Sequence, residues 1–402
     1  MLFDIGRRPH ARAAVAAVLS ALALVTVSCG SESDSDTGQS VDLAKLDVGN
    51  YPTKPQPWEP KDRTEAARNQ EGLRLGDIMP VGEEIDPALK IPGATRPFLK
   101  AAKPTGGTMF SWLNTSEFTN NTPGLVAGFG AAAESNLDRE ISTRLSNNVL
   151  LFDSDAAAAS AASALARSGF EKSSGGPAQT RSTQYPTASV MWLTEYQVLA
   201  SWYATGRFVI VEVVEEHTNV LLKQPDQTPL LALADKAISV TADRLKAFQP
   251  TPKDKLADLA VDSEGMLQRS LRTADATFTG TLDAHGALHM ADGLDSRSSA
   301  LYEKTGVDIV GFGGRELFRA RDSAAAATLV RESTTNRVLV AAESPPELPQ
   351  ARCVKYRGPV TSTVPYYCNV SYGRYAARVW SDQLKDAQQQ IAAQYAILVN
   401  SK

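Results

Sequence analysis

The chain has 402 residues, 43% of them apolar and 21% charged, with 41 Lys and Arg set against 45 Asp and Glu. At roughly 100–200 residues per domain this length suggests two domains, and the apolar content rules out a chain disordered throughout. A net charge of −4 argues against a nucleic-acid partner, because phosphate binding needs a concentrated basic surface.

The N-terminus carries the clearest address. Arg7, Arg8 and Arg12 precede Ala13–Val27, an uncharged stretch of 15 residues. That is short of the ~18–20 residues of a membrane-spanning helix and has the pattern of a secretory signal, here residues 1–28. It ends in Val25-Thr26-Val27-Ser28-Cys29. A small residue directly before Cys resembles the bacterial lipobox, with Thr26 where Leu is usual, so Cys29 is the expected lipidation site and membrane anchor. Removing residues 1–28 would leave 374 residues at a net charge of −6. Residues 30–40 hold no apolar side chain and read, with Cys29 and Val41, as a flexible acidic tether. Pro52, Pro55, Pro57 and Pro60 then suggest an extended strap across the first domain.

Residues 42–249 read as an N-terminal α+β domain. Val149–Phe152 is a strand, followed by an Ala-rich helix that Asp153 or Ser154 can cap and Gly169 can end. Val190–Leu193, Tyr196–Tyr203 and Phe208–Val214 follow as strands, the last apolar on both faces and so expected at the centre of a covered sheet. Thr228 and Pro229 open a helix with Leu231, Ala234, Ile238 and Leu245 on one stripe. Gln249-Pro250-Thr251-Pro252 starts a stiff polar break over residues 250–262. Residues 263–402 repeat the pattern, with an Ala helix after Asp322, strands near Val338, Cys353, Cys368 and Tyr375, and a last helix from Ser381.

Two anchors share one offset. Asp155 and Asp322, at the heads of the Ala helices, are 167 residues apart, as are the turn glycines Gly206 and Gly373. The chain is therefore expected to be a duplication: two similar domains, each a mainly antiparallel sheet with helices on one face, in a ferredoxin-like β-α-β-β-α pattern. Cys353 and Cys368 are the pair left once Cys29 is set aside. Outside the cytoplasm they should form one disulfide, closing a loop worth roughly 3 kcal/mol on the chain-entropy argument.

Candidate chemistry is sparse. His285 and His289 would share a face if helical and are the only weak metal candidates, but Gly286 and Asp283 suggest a turn between short strands. No Gly-x-Ser-x-Gly elbow or phosphate loop is present. Gly128-Phe129-Gly130 and Gly311–Gly314 read as turns or close-packing points. Arg207 and Arg374, each just after its turn glycine, are candidate anion contacts, and Trp202 and Tyr372 candidate pocket aromatics. Each has a plainer role available, as an edge-covering Arg stem or a core ring.

Several segments together resemble an actinobacterial (mycobacterial or nocardial) family of two-domain cell-envelope lipoproteins of unknown function. They are Leu46–Thr53, Phe248–Pro252 with Asp254–Leu256, Asp262–Leu267, His285–His289, Thr305–Asp308, Tyr372–Tyr375 with Asp382–Leu384, and Ala393–Ala396. The resemblance spans nearly the whole mature chain. It implies envelope anchoring and two α+β domains, and it supplies no catalytic residue. The expected protein is lipid-anchored on the outer face of the plasma membrane and binds an envelope ligand or partner protein without a cofactor. The alternative is a hydrolase or other enzyme acting on cell-wall material.

Overall fold

A computed structural model describes residues 41–100, 110, 112–171, 176–274, 276, 278–290, 298–358 and 364–401. Cys29 lies outside the described residues.

The first domain contains α1 (Arg63–Ile78), α2 (Gly82–Ile85), β1 (Ile91–Phe98), α3 (Phe118–Asn121), β2 (Leu125–Glu134), β3 (Thr143–Phe152) and α4 (Asp155–Ser168). It continues through β4 (Ala178–Thr180), β5 (Ser189–Leu193), β6 (Val198–Thr205), β7 (Phe208–Glu216), α5 (His217–Leu222) and α6 (Thr228–Leu245). The second contains β8 (Gly280–Asp283), α7 (Ala284–Ala287), α8 (Ser298–Thr305), β9 (Ile309–Phe312), β10 (Glu316–Arg319) and α9 (Ser323–Ser333). It ends with β11 (Leu339–Ala342), β12 (Arg352–Tyr356), β13 (Tyr366–Tyr372), β14 (Tyr375–Ser381) and α10 (Leu384–Val399).

Each domain holds one seven-stranded sheet, and every strand pairing is antiparallel. The orders are β1-β2-β3-β7-β6-β5-β4 and β8-β9-β10-β14-β13-β12-β11, which is one topology used twice. The Ala helices begin alike: Ser154 accepts a hydrogen bond from Ala157 N, and Asp322 from Ala325 N, each filling an orphan donor of the first turn. The α+β class and the antiparallel sheets match the sequence reading, but two details of it are corrected.

Helices cover both faces of each sheet, not one. In β6, Val198, Ala200 and Trp202 pack on α4, while Leu199 packs against α6. In β14, Ala376 joins the core that contains α9 and Ala377 the one that contains α10. A strand with apolar residues at successive positions needs cover on both sides, so the pattern itself demanded this. The strand order also departs from a ferredoxin-like one, because β1 and β2 extend the sheet beyond β3. These strands were hard to foresee. β1 carries Pro92, Gly93 and Pro97, and β2 is mainly Gly and Ala, all poor strand formers.

Helix α1 joins the domains. Leu73, Leu75 and Met79 sit in one continuous core with Phe129, Val149 and Ile210 of the first sheet and Leu282, Val310 and Phe312 of the second. The approach is close enough to require glycine. A Cβ on Gly76 would lie 2.6 Å from the Phe129 ring, and one on Gly286 would lie 2.4 Å from the Asp77 carboxylate. The interdomain break is tied to the same helix: the fully buried Glu71 accepts from Thr251 N and Thr251 Oγ1, both at 2.8 Å.

The strap crosses the second domain, not the first. Leu46 is buried in the core beneath α10, with Leu43 and Val48 beside it. Tyr51 Oη donates to Asp386 at 2.7 Å, and Asn400 donates to Thr53 O at 2.8 Å. Apolar residues spaced along the segment find their complement on α10, a constraint that proline content alone does not reveal. Cys353 and Cys368 lie directly opposite each other on β12 and β13 and are joined by a disulfide.

Candidate functional site

A cavity of about 230 Å³ lies at the junction of the domains. Its floor is Ala131, Ala132 and Ala133 of β2 with Leu145 and Asn147 of β3. One wall is α2, pressed so tightly on the sheet that a Cβ on Gly82 would lie 2.4 Å from Ala133 Cβ. The opposite wall is His285, Leu288 and His289 of the second domain.

The two histidines lie on a helical turn, where the sequence suggested a turn between short strands. Asp283 accepts from Gly286 N at 2.7 Å and so nucleates α7 despite the glycine. The ring centroids are 6.2 Å apart. His285 is engaged at both nitrogens: Nδ1 donates to Asp77 O at 2.9 Å, and Nε2 lies 3.1 Å from both Glu84 Oε2 and Arg244 Nη1. His289 donates through Nε2 to Met79 O at 3.1 Å. Among the described residues no group of three His, Cys, Asp or Glu side chains is placed to hold a metal.

The electrostatics follow from this packing. The hydrogen bond to Glu84 raises the His285 pKa against the opposing effect of burial. Burial pulls Glu84 upward, but hydrogen bonds from His285 and Arg244 prevail and hold it at about 2. Burial lowers His289 to about 4, so it is neutral. Burial, reinforced by the neighbouring Asp283, pushes Asp77 to about 7.

Below the floor lies a row of buried polar groups. Asn147 on β3 pairs across the sheet with Glu212 on β7, which pairs with Ser201 on β6. All three are buried. Asn147 Nδ2 donates to Thr241 of α6 at 2.8 Å. Among the described residues, Asn147 Oδ1, both Glu212 carboxyl oxygens and Ser201 Oγ have no hydrogen-bond partner. Burial drives the Glu212 pKa well up, which keeps the carboxyl neutral. Unpaired buried polar atoms are costly and ask for an explanation, and here Asn147, at one end of the row, lines the cavity.

Of the sequence candidates, only His285 and His289 line this cavity. Arg207 and Arg374 form the same backbone clasp in the two sheets. Arg207 Nε donates to Phe152 O and Arg374 Nε to Ala320 O, both at 3.0 Å. Phe152 N and Ala320 N return bonds to the arginine carbonyls, both at 2.8 Å. Trp202 is in the core against α4, and Tyr372 meets Tyr395 edge-on at 5.7 Å. Glu84, Arg244, Asn147 and Glu212 were missed. The available signal was a polar residue inside an apolar strand, Glu212 within Val209–Val214 and Asn147 within Leu145–Phe152.

Comparison with known proteins gives two matches that together span residues 58–401. Residues 58–261 match the N-terminal domain of unknown function DUF7373, and residues 256–401 match its C-terminal domain. The chain belongs to the DUF7373 family. No curated protein matches this DUF7373 chain. Among solved structures, the extracellular domain of PknH from Mycobacterium tuberculosis is similar to part of it, at 10% identity and a TM-score of 0.30. That match covers 43% of this chain and 96% of the other.

Proposed function

We propose that this DUF7373 protein captures a small amphiphilic ligand of the cell envelope in the junction cavity, without transforming it. The body would be held at the outer face of the plasma membrane by a lipid on Cys29. The observation that carries the reading is the pairing of an apolar floor with the orphan acceptor Asn147 Oδ1. Pockets for small molecules are mostly apolar, sit between domains and fix orientation with a few polar groups. At about 230 Å³ the cavity is smaller than the ~300–1,000 Å³ usual for drug-sized ligands. It suits a short apolar body, or one end of a longer chain. Asn147 Oδ1 is an acceptor facing the cavity, so the buried end of the ligand should carry a hydroxyl, amide or amine donor.

Native mass spectrometry of the chain purified from an actinobacterial host tests this. The expected result is a discrete added mass that is lost on denaturation and absent from both Asn147→Leu and the cavity-filling Ala131→Leu. A clean unliganded mass for the unaltered protein, at every extraction condition that keeps it folded, would overturn the reading.

A further inference from the structure

Among the described residues, Ile141, Tyr196, Val220, Leu221, Leu222 and Val340 are the exposed large apolar side chains. All but Val340 gather at one end of the first sheet. Helix α5 packs on the Arg139–Ile141 turn, and His217 N donates to Ser142 O at 3.1 Å. Tyr196 stacks at 5.2 Å on Trp112, which lines one cavity with Arg139, Ser142 and His217. Leu221 and Leu222 are 59% and 56% exposed, more than any other member of the group.

The arrangement of these side chains says what kind of partner they meet. Val220, Leu221 and Leu222 are consecutive, so at about 100° per residue they point around the helix instead of along one stripe. A protein groove takes residues three and four apart from one side, whereas a fluid apolar layer surrounds a tip from all sides. Tyr196 and Trp112 supply the ring types that settle at a membrane–water boundary. Behind the tip Arg144 lies 2.6 Å from Glu215 and 3.5 Å from Glu134, Arg139 lies 3.5 Å from Glu134, and His217 lies 3.3 Å from Glu215, while Asp138 and Glu140 of the turn are exposed. An end with these paired charges and a small acidic excess suits neutral, zwitterionic headgroups better than anionic ones. A chain attached at Cys29 spans at most about 40 Å before Val41, which would keep the body within reach of a bilayer.

We propose that α5 and the Arg139–Ile141 turn enter the headgroup region of a phospholipid bilayer, with Ile141, Val220, Leu221 and Leu222 in its apolar margin. This places a second contact with the membrane on the first domain, remote in sequence from the anchor. It does not depend on what the junction cavity holds.

The full chain, reconstituted in vesicles of phosphatidylethanolamine and phosphatidylcholine, provides the test. An environment-sensitive dye is placed at Leu222→Cys and, as a control, at Val340→Cys on the second sheet. The expected result is a blue-shifted tip label quenched by nitroxide lipids several-fold more than the control. Adding Ile141→Asp and Leu221→Asp should bring the tip down to the control level. Both positions are exposed, so an unchanged thermal transition should accompany that loss. A tip label as aqueous as the control overturns the proposal. So does a label already shielded without vesicles in a concentration-dependent way, which would mean a second copy covers the patch.

Discussion

The two sheets share one topology and differ in where they place polar residues. In the first, the row Asn147–Glu212–Ser201 lies under α6. At the equivalent crossing of the second, Val379 takes the place of Glu212 and Cys368 that of Ser201, and the disulfide to Cys353 continues the row. On the opposite face the assignment reverses. Asn148, Val211 and Trp202 of the first sheet correspond to Glu316, Arg378 and Asn369 of the second. On this face one copy carries Val379, the disulfide and, beside them, the buried Arg315 bonded to Gln390 of α10, whereas the other leaves Asn147 Oδ1, Glu212 and Ser201 Oγ without partners among the described residues. Topology was conserved between the halves while the placement of partnerless polar atoms was not.

The largest effect expected from breaking this contrast is in the second sheet. Replacing Cys353 and Cys368 by Ser should cost about 2–5 kcal/mol, read as a lower denaturant midpoint, while ligand capture by the folded protein persists. The junction comes next, through pH. Folded His289 titrates at about 4 against an ordinary 6.5, so the folded form binds fewer protons between those values. The His289 contribution should therefore fall as pH drops from 6.5 to 4, by roughly 3 kcal/mol. Asp77 works in the opposite direction. Its folded pKa of about 7 exceeds the ordinary 3.8, so its contribution is complete below 3.8 and is lost as pH rises through 7. Between about 4 and 6.5 the two contributions offset, so His289→Gln should uncover a melting temperature that falls as pH rises, and Asp77→Asn one that falls as pH drops.

A smaller change of opposite sign is expected at the polar row. Glu212→Met imitates the apolar second sheet and removes an unpaired buried carboxyl. It should stabilise the protein by about 1–3 kcal/mol and abolish ligand capture. A loss of stability would mean that Glu212 is satisfied within the fold and the contrast is misdrawn. The smallest effect concerns what the halves share. Arg207→Ala and Arg374→Ala each remove one side-chain bond to a strand-end carbonyl, so each should cost about 1 kcal/mol. A several-fold difference between them would argue against equivalent clasps.

Periodicity, caps and the 167-residue offset made the inner strands, the two Ala helices and the duplication legible. The disulfide pairing was legible because only two cysteines remained after Cys29. What stayed hidden depended on tertiary partners. Nothing local tells Leu46 that α10 awaits it, or that Gly76 must admit Phe129. The cavity joins α2, β2, β3 and α7, elements up to some two hundred residues apart, as the contact of Glu84 with His285 shows. Glu212 was visible as an oddity in an apolar strand, but its unpaired state is a property of the packed sheet.

The strap has a consequence for the order of assembly. Tyr51 and Asp386, 335 residues apart, are bonded in the finished second domain. If the chain crosses the membrane N-terminus first, the first sheet can collapse while synthesis continues. The strap must then wait, uncovered, until α10 emerges to receive it. Such a long-separated closure is slow to form, since most of the chain is ordered before it is rewarded. The latest-arriving helix therefore decides when the earliest exported segment comes to rest.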